Sequence, residues 1–185
     1  SKEIALNYTL QSTADSINSS SLEEGPFTTR NYTKISLLPE YSIVCDKSHS
    51  LIFRFGASFD DTNRDSSELS PIFDLTWLTE QADGDAQSIY FSYEQTSQVP
   101  GYTAIGGSET TGLFRSNHDL GREKTQNLEI GTKVMRQDWS IEAAVFYRWD
   151  DNLVDWTFAG TSAREANPVD IETFGFELIA SKSWD

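Results

Sequence analysis

Cationic side chains, cysteine and histidine are all scarce in this chain, and each scarcity closes a route. Fourteen Lys and Arg stand against twenty-nine Asp and Glu, for a net charge of -15 and a pI near 4.4. That balance repels phosphate backbones, and no Lys/Arg-rich stripe offsets it, so nucleic acid is excluded as a partner. A solvated acidic surface is what such a charge ordinarily means. Cys45 is alone, which removes a disulfide framework and any multi-cysteine metal site. Only two histidines occur, His49 and His118, and neither a His-Glu-x-x-His pair nor a Gly-x-Ser-x-Gly elbow is present. No catalytic residue, metal-ligand set or cofactor is therefore assigned. No run of about 18 apolar residues exists, which excludes a transmembrane helix. A transmembrane strand survives, because its lipid-facing and lumen-facing residues alternate and hold the average low; mean hydropathy here is -0.47. Met135 is the one methionine and the chain opens on Ser1, so it is expected to be a segment of something longer.

What the chain has in abundance is a period of two. Ile4, Leu6, Tyr8 and Leu10 alternate with polar or small residues, as do Leu51, Phe53, Phe55, Ala57 and Phe59. The same holds for Phe73, Leu75 and Trp77, for Ile89, Phe91 and Tyr93, and for Trp139, Ile141, Ala143, Val145, Tyr147 and Trp149. Alternate positions on a strand share a face, so each segment has one apolar and one polar side. About eight strands are predicted, over 2–13, 29–46, 50–60, 68–79, 86–96, 124–136, 138–158 and 168–184. Pro39 cannot donate to a ladder and predicts a bulge or register change in the second. The apolar parity switches between Trp149 and Val154, which predicts a bend near Asp150–Asn152.

Two architectures read this way: a soluble sandwich with its apolar faces turned inward, and a membrane barrel with them turned to lipid. Three features favour the barrel. Most strands run to about 11 residues, and a tilted bilayer crossing needs roughly 9–11. Long and short connections alternate, with Ser12–Thr28, Asp61–Ser67, Gln95–Glu123 and Ala159–Asn167 on the long side, as tight turns at one end and large loops at the other would produce. Trp77, Trp139, Tyr147 and Trp149 stand towards strand ends, where an interfacial girdle belongs.

From Leu51 onward particular motifs add to the pattern. Gly56, Phe59–Asp60 and Ser70–Pro71 mark a pair of strands. SIYFSYEQTSQVPGYTAI is an aromatic strand running into a proline-bearing loop. NHDLGREKTQNLEIGTKV carries Glu123, Asn127, Glu129 and Gly131 in a fixed order, and FYRWDDNLVDW is followed by ANPVDIETFGFEL. In this order these segments resemble the barrel of TonB-dependent outer-membrane receptors. His118 stands where that family usually has proline, and Gly121–Arg122 where it has Lys-Pro. The resemblance covers Leu51 to Leu178 and implies one all-β domain over 1–185, about eight strands of an antiparallel up-and-down barrel of the 22-stranded type. Residues 1–50 match in strand pattern alone. It implies a carrier, not an enzyme, in a Gram-negative-type outer membrane, taking up an iron–siderophore chelate or a cobalamin. Its partners would be outer-membrane lipid, that ligand, and the TonB energy-coupling complex acting through a plug domain outside this chain. The alternatives left open are a complete eight-stranded outer-membrane protein of structural or adhesion type, and a soluble β-sandwich binding module.

The loop Gln95–Glu123 is too long to be a mere connection and holds the candidate ligand contacts Tyr102, Phe114, Arg115 and His118. In the family such loops close over the ligand from outside. On the polar face, Arg54, Asp74, Glu94, Glu129, Lys133, Glu142, Arg148 and Glu177 are expected to pair with one another or with a plug. Asp60, Asp61, Asn63, Asp65 and Glu68 have alternate oxygen donors that could converge on Ca²⁺, but the glycine such a loop needs is missing, and a solvated turn is the better reading.

Overall fold

A computed structural model describes residues 2–22, 28–81, 83–158, 160 and 163–184. The period-two segments all become strands. In chain order they are β1 (Lys2–Ser16), β2 (Thr29–Val44), β3 (His49–Thr62), β4 (Asp65–Glu80), β5 (Ala86–Gln98), β7 (Glu123–Met135), β8 (Trp139–Phe158) and β9 (Arg164–Lys182). A helical turn α1 (Tyr102–Ile105) and a two-residue strand β6 (Phe114–Arg115) lie in the long loop between β5 and β7. All form one nine-stranded sheet in the order β1-β2-β3-β4-β5-β7-β8-β9-β6, antiparallel except for the short β6–β9 pairing. The sheet is open: β1 ends it on one side, and β9 is flanked by β8 and β6. Direct pairing of β1 with β9, which a complete eight-stranded barrel requires, does not occur, so the chain is an arc of barrel wall.

Register decides what each face carries. Ile4 lies opposite Tyr41, Tyr41 opposite Phe53, and the row continues through Leu75, Phe91, Ile130 and Val145 to Phe176. Directly paired residues share a face, so eight strands each place an apolar side chain on one side along a single row. The neighbouring row on the other side runs Glu40, Arg54, Asp74, Ser92, Glu129. The apolar face is uncovered: Phe55, Ile130 and Phe176 are 54 %, 57 % and 64 % exposed. A soluble sandwich would bury that face against a second sheet, and none is present among the described residues.

The polar face is tied across strands, as expected. Arg54 meets Asp74 at 3.4 Å, Lys133 meets Glu142 at 3.4 Å, and Tyr90 donates to Glu129 at 2.7 Å. Here glycine admits aromatic rings. Tyr90 lies over its cross-strand partner Gly131, where an added Cβ would come within 2.5 Å of the Tyr90 ring, and Phe146 lies over Gly175 in the same way.

Three local expectations meet different outcomes. The bend in β8 is real: register shifts between Asp150 and Leu153, and Asn152 takes a positive φ of 58°. At Pro39 no register change occurs. The β2–β3 ladder lapses after Leu37↔Ala57 and resumes unchanged at Glu40↔Arg54, because Gly56 has no side chain and lets the β2 backbone come close. The predicted loop Asp61–Ser67 is not a loop. β3 and β4 run on to a tight turn at Asn63–Arg64, with Asn63 accepting a hydrogen bond from the Asn31 N–H at 2.9 Å. The loops 17–28 and 159–163 fall partly outside the described residues.

Candidate functional site

β8 spans 20 residues, about 65 Å at strand rise, roughly twice what a bilayer crossing needs. The β8–β9 hairpin therefore projects beyond the other strands at the long-loop end. Against it the β5–β7 segment folds as a small structure of its own. Ala104 and Ile105 of α1 pack with Ala166 of β9, flanked by Leu120, Val154 and Trp156. β6 adds to the free edge of β9 by pairing Phe114 with Arg164 and Arg115 with Glu165.

The segment is fastened at its returning end by Arg122, which is 4 % exposed. Its guanidinium pairs with Asp60, which is fully buried, and donates from Nε to the Ser66 carbonyl at 2.7 Å, while its backbone N–H donates to Asp65 Oδ2 at 2.8 Å. Ser97 of β5 donates to Asp60 at 3.1 Å. The β4–β5 ladder ends at Ile72↔Glu94, which frees the tip of β5 to reach Asp60 with Ser97 and Glu68 with Gln95. Asp60 and Asp65 are thus committed to Arg122, and Glu68 to Lys124 at 2.9 Å. Among the described residues no group of His, Cys, Asp or Glu is arranged to hold a metal ion.

At its outgoing end the segment reaches the far side of the sheet. Tyr102 donates to the Asp15 carboxylate on β1, and the guanidinium carbons of Arg30 and Arg64 lie 5.4 and 5.5 Å from its ring centre. Arg30 also donates to Asp15 at 2.8 Å. Asp15 is held below the usual carboxylate range, chiefly by Arg30 and then by Tyr102, whereas Tyr102 is raised by desolvation and by the Asp15 charge. Beside them lies a cavity of about 350 Å³ lined by Gln11, Thr13, Asp15, Arg30, Tyr32, Ser97, Gln98 and Val99. A second, of about 350 Å³, opens lower on the polar face among Glu94, Asn127, Glu129, Phe146, Arg148 and Glu177.

The four residues singled out in the sequence are not brought together. Tyr102 sits with Asp15, Arg30 and Arg64. Phe114 is exposed and meets Trp156 edge-on at 5.3 Å, and its neighbour Arg115 pairs with Glu165 at 3.4 Å. His118 stays within the loop, its Nε2 2.9 Å from the Gly107 carbonyl oxygen and its backbone N–H donating to Glu109 at 3.0 Å. Asp15, Arg30 and Arg64 carry no signal in the sequence as site residues; Asp60 stands out only as an oxygen donor of a solvated turn, and Arg122 only as a departure from a motif. The last two fell inside recognised motifs, but 62 positions separate them, and period-two patterning carries no information about which loop residue meets which strand.

An open antiparallel wall with one apolar face outward and its long loops at one end is the architecture of a large membrane barrel. The profile of the family described as TonB dependent receptor-like, beta-barrel matches residues 5–185. This chain belongs to that family. Among solved structures, the fold recurs in the siderophore receptor PirA from Pseudomonas aeruginosa, with TM-score 0.66 and 15 % identity over 95 % of this chain. It recurs also in the copper transporter OprC, with TM-score 0.56 and 14 % identity over 84 % of this chain. At such identities the likeness is one of fold. The chain spans 32 % of the length of the first and 26 % of the second. No curated protein matches it in sequence.

Proposed function

We propose that this chain is barrel wall and part of the ligand-receiving mouth of an outer-membrane importer for a scarce nutrient, carried as a metal chelate or as cobalamin. The observation that carries the proposal is the β5–β7 segment. It runs from Asp15 on β1 to Arg164 and Glu165 on β9, so one folded loop bridges the two ends of the arc at its long-loop rim. A folded, anchored loop can present fixed groups to a ligand without ordering cost at binding. Tyr102, Phe114, Arg115 and His118 are the contacts proposed. Arg30 and Arg64 beside Tyr102, with the polar cavity below, suit an anionic, oxygen-rich chelate better than an apolar ligand. Both structural neighbours, a siderophore receptor and a copper transporter, agree with a metal-bearing cargo. The carrier performs no covalent chemistry. The TonB complex would act through a plug domain, and the apolar face would meet outer-membrane lipid.

Deleting Gly101–Arg115 from the receptor tests this. The deletion removes α1 and β6 but leaves Arg122 on Asp60. High-affinity uptake of the chelate should be lost while the barrel still assembles, since surface loops tolerate deletion better than strands. Unchanged ligand affinity would remove this loop from the site.

A further inference from the structure

At the short-turn rim the apolar face changes chemistry. Trp139, Ile141, Ala180 and Lys182 share that face by register, Trp139 directly opposite Lys182 and Ile141 opposite Ala180. Between them lies a shallow groove of about 270 Å³. Its rim carries charge of both signs in a row. Arg136 lies 6.0 Å above the Trp139 ring and pairs with Asp85 at 3.2 Å; Lys182 lies 4.6 Å above the Trp184 ring and reaches the Asp138 carboxylate at 3.6 Å. The β7–β8 turn sets this up. Arg136 N–H donates to the Trp139 carbonyl at 2.8 Å, and Ser183 N–H donates to the Asp138 carbonyl at 2.8 Å, which holds the turn and the end of β9 together.

Two indoles at the edge of an apolar band mark the depth of lipid head groups. The charges there are balanced, so the row does not favour a purely anionic head group. The Lys182–Asp138 contact is long, and its side chains are 47 % and 58 % exposed, so both groups can take a new partner. A phosphate with a primary ammonium on a short linker offers one charge to each: phosphate to Lys182, ammonium N–H groups to Asp138, and an acyl chain along Ile141 and Ala180.

We propose that this rim binds an ethanolamine phospholipid specifically, in the groove between β8 and β9. The inference rests on the reading of the apolar face as lipid-facing. A bound lipid would cover the groove and fix the depth of the wall in the bilayer.

The test is native mass spectrometry of the delipidated receptor containing this chain, titrated with phosphatidylethanolamine, phosphatidylcholine or phosphatidylglycerol. Phosphatidylethanolamine should be retained about tenfold better than either of the others, the worth of one charge-assisted hydrogen-bonded group. Trimethylation removes the N–H donors, and glycerol removes the ammonium. Asp138→Asn should erase that preference without weakening phosphatidylglycerol binding, and Lys182→Gln should weaken all three. Equal retention of the three lipids, or an undiminished preference in Asp138→Asn, would overturn the proposal while leaving the membrane reading intact. A receptor that stays soluble without detergent and enters no bilayer would overturn both.

Discussion

The guanidinium of Arg122 donates to the carboxylate of Asp60 across 62 residues of sequence, where the two side chains are 3 % and 0 % exposed. This pair joins the returning end of the β5–β7 segment to the β3–β4 hairpin. Removing one partner leaves the other buried and uncompensated, which costs roughly 3–5 kcal/mol. Arg122→Ala or Asp60→Asn should therefore loosen the segment, read as faster hydrogen exchange over Tyr102–Leu120 in the assembled receptor. The double replacement Arg122→Met with Asp60→Leu should recover much of the protection, because apolar groups need no partner. Native exchange rates in the single variants would show that the segment is held by something else.

Asp15 fastens the other end and makes it sensitive to acid. Its folded pKa is depressed, first by Arg30 and then by Tyr102, so its contribution is present above the ordinary carboxylate value and lost as pH falls through the lowered one. Proteolysis of the Gly101–Arg115 stretch should accelerate only in strong acid, below about pH 4. Asp15→Asn should show the accelerated rate already at neutral pH, and Tyr102→Phe should show part of it. A rate that does not change with pH would remove Asp15 from the anchor.

Gly131 and Gly175 are required by the rings laid over them. Gly131→Ala would drive a methyl into the Tyr90 ring, and overpacking of this kind costs roughly 1–3 kcal/mol. The thermal unfolding midpoint should drop, and Tyr90→Ser in the same chain should restore part of the loss. A Gly131→Ala receptor as stable as the parent would mean that Tyr90 takes another rotamer at no cost.

The eight long strands, the two faces and the bend at Asp150–Asn152 were legible in the sequence because they follow from local alternation, and a parity switch is visible wherever it occurs; β6, two residues long, has no alternation to show. The turn at Asn63–Arg64 was hidden by its composition. Asp60, Asp61, Asp65 and Glu68 look like a solvated loop, yet Arg122 and Lys124 pair with Asp60 and Glu68, and the Arg122 backbone N–H holds Asp65, all from 50 or more residues away. Pro39 gave a correct warning of a broken ladder but the wrong remedy, since Gly56 on the next strand resolved it without a register change. The candidate site was legible as a loop and not as an arrangement. Aromatic and cationic residues advertise Tyr102 and Arg115, but nothing local reveals that Asp15 and Glu165, on opposite ends of the sheet, receive them.

Charge placed on the two faces should have opposite consequences. Phe55→Arg puts a cation on the apolar face, where the cost near the middle of a bilayer is roughly 2–4 kcal/mol, and should prevent assembly in the membrane. Asn127→Arg faces the cavity beside Glu94 and Glu129 and should assemble normally. Heat-modifiable migration of the two variants on gels reads the difference; equal behaviour would mean that the faces are not distinguished.

That this wall has one face in lipid and one in an aqueous lumen is tested most directly by cysteine scanning along β3, with a fluorophore at each position from Leu51 to Phe59 except Gly56, where the β2 backbone leaves no room for a side chain, in the receptor reconstituted into bilayers. A lipid-borne quencher should act at Leu51, Phe53, Phe55, Ala57 and Phe59, and an aqueous quencher at Ile52, Arg54 and Ser58, with a strict period of two. Quenching from water at every position, or lipid quenching on the Arg54 side, would contradict it.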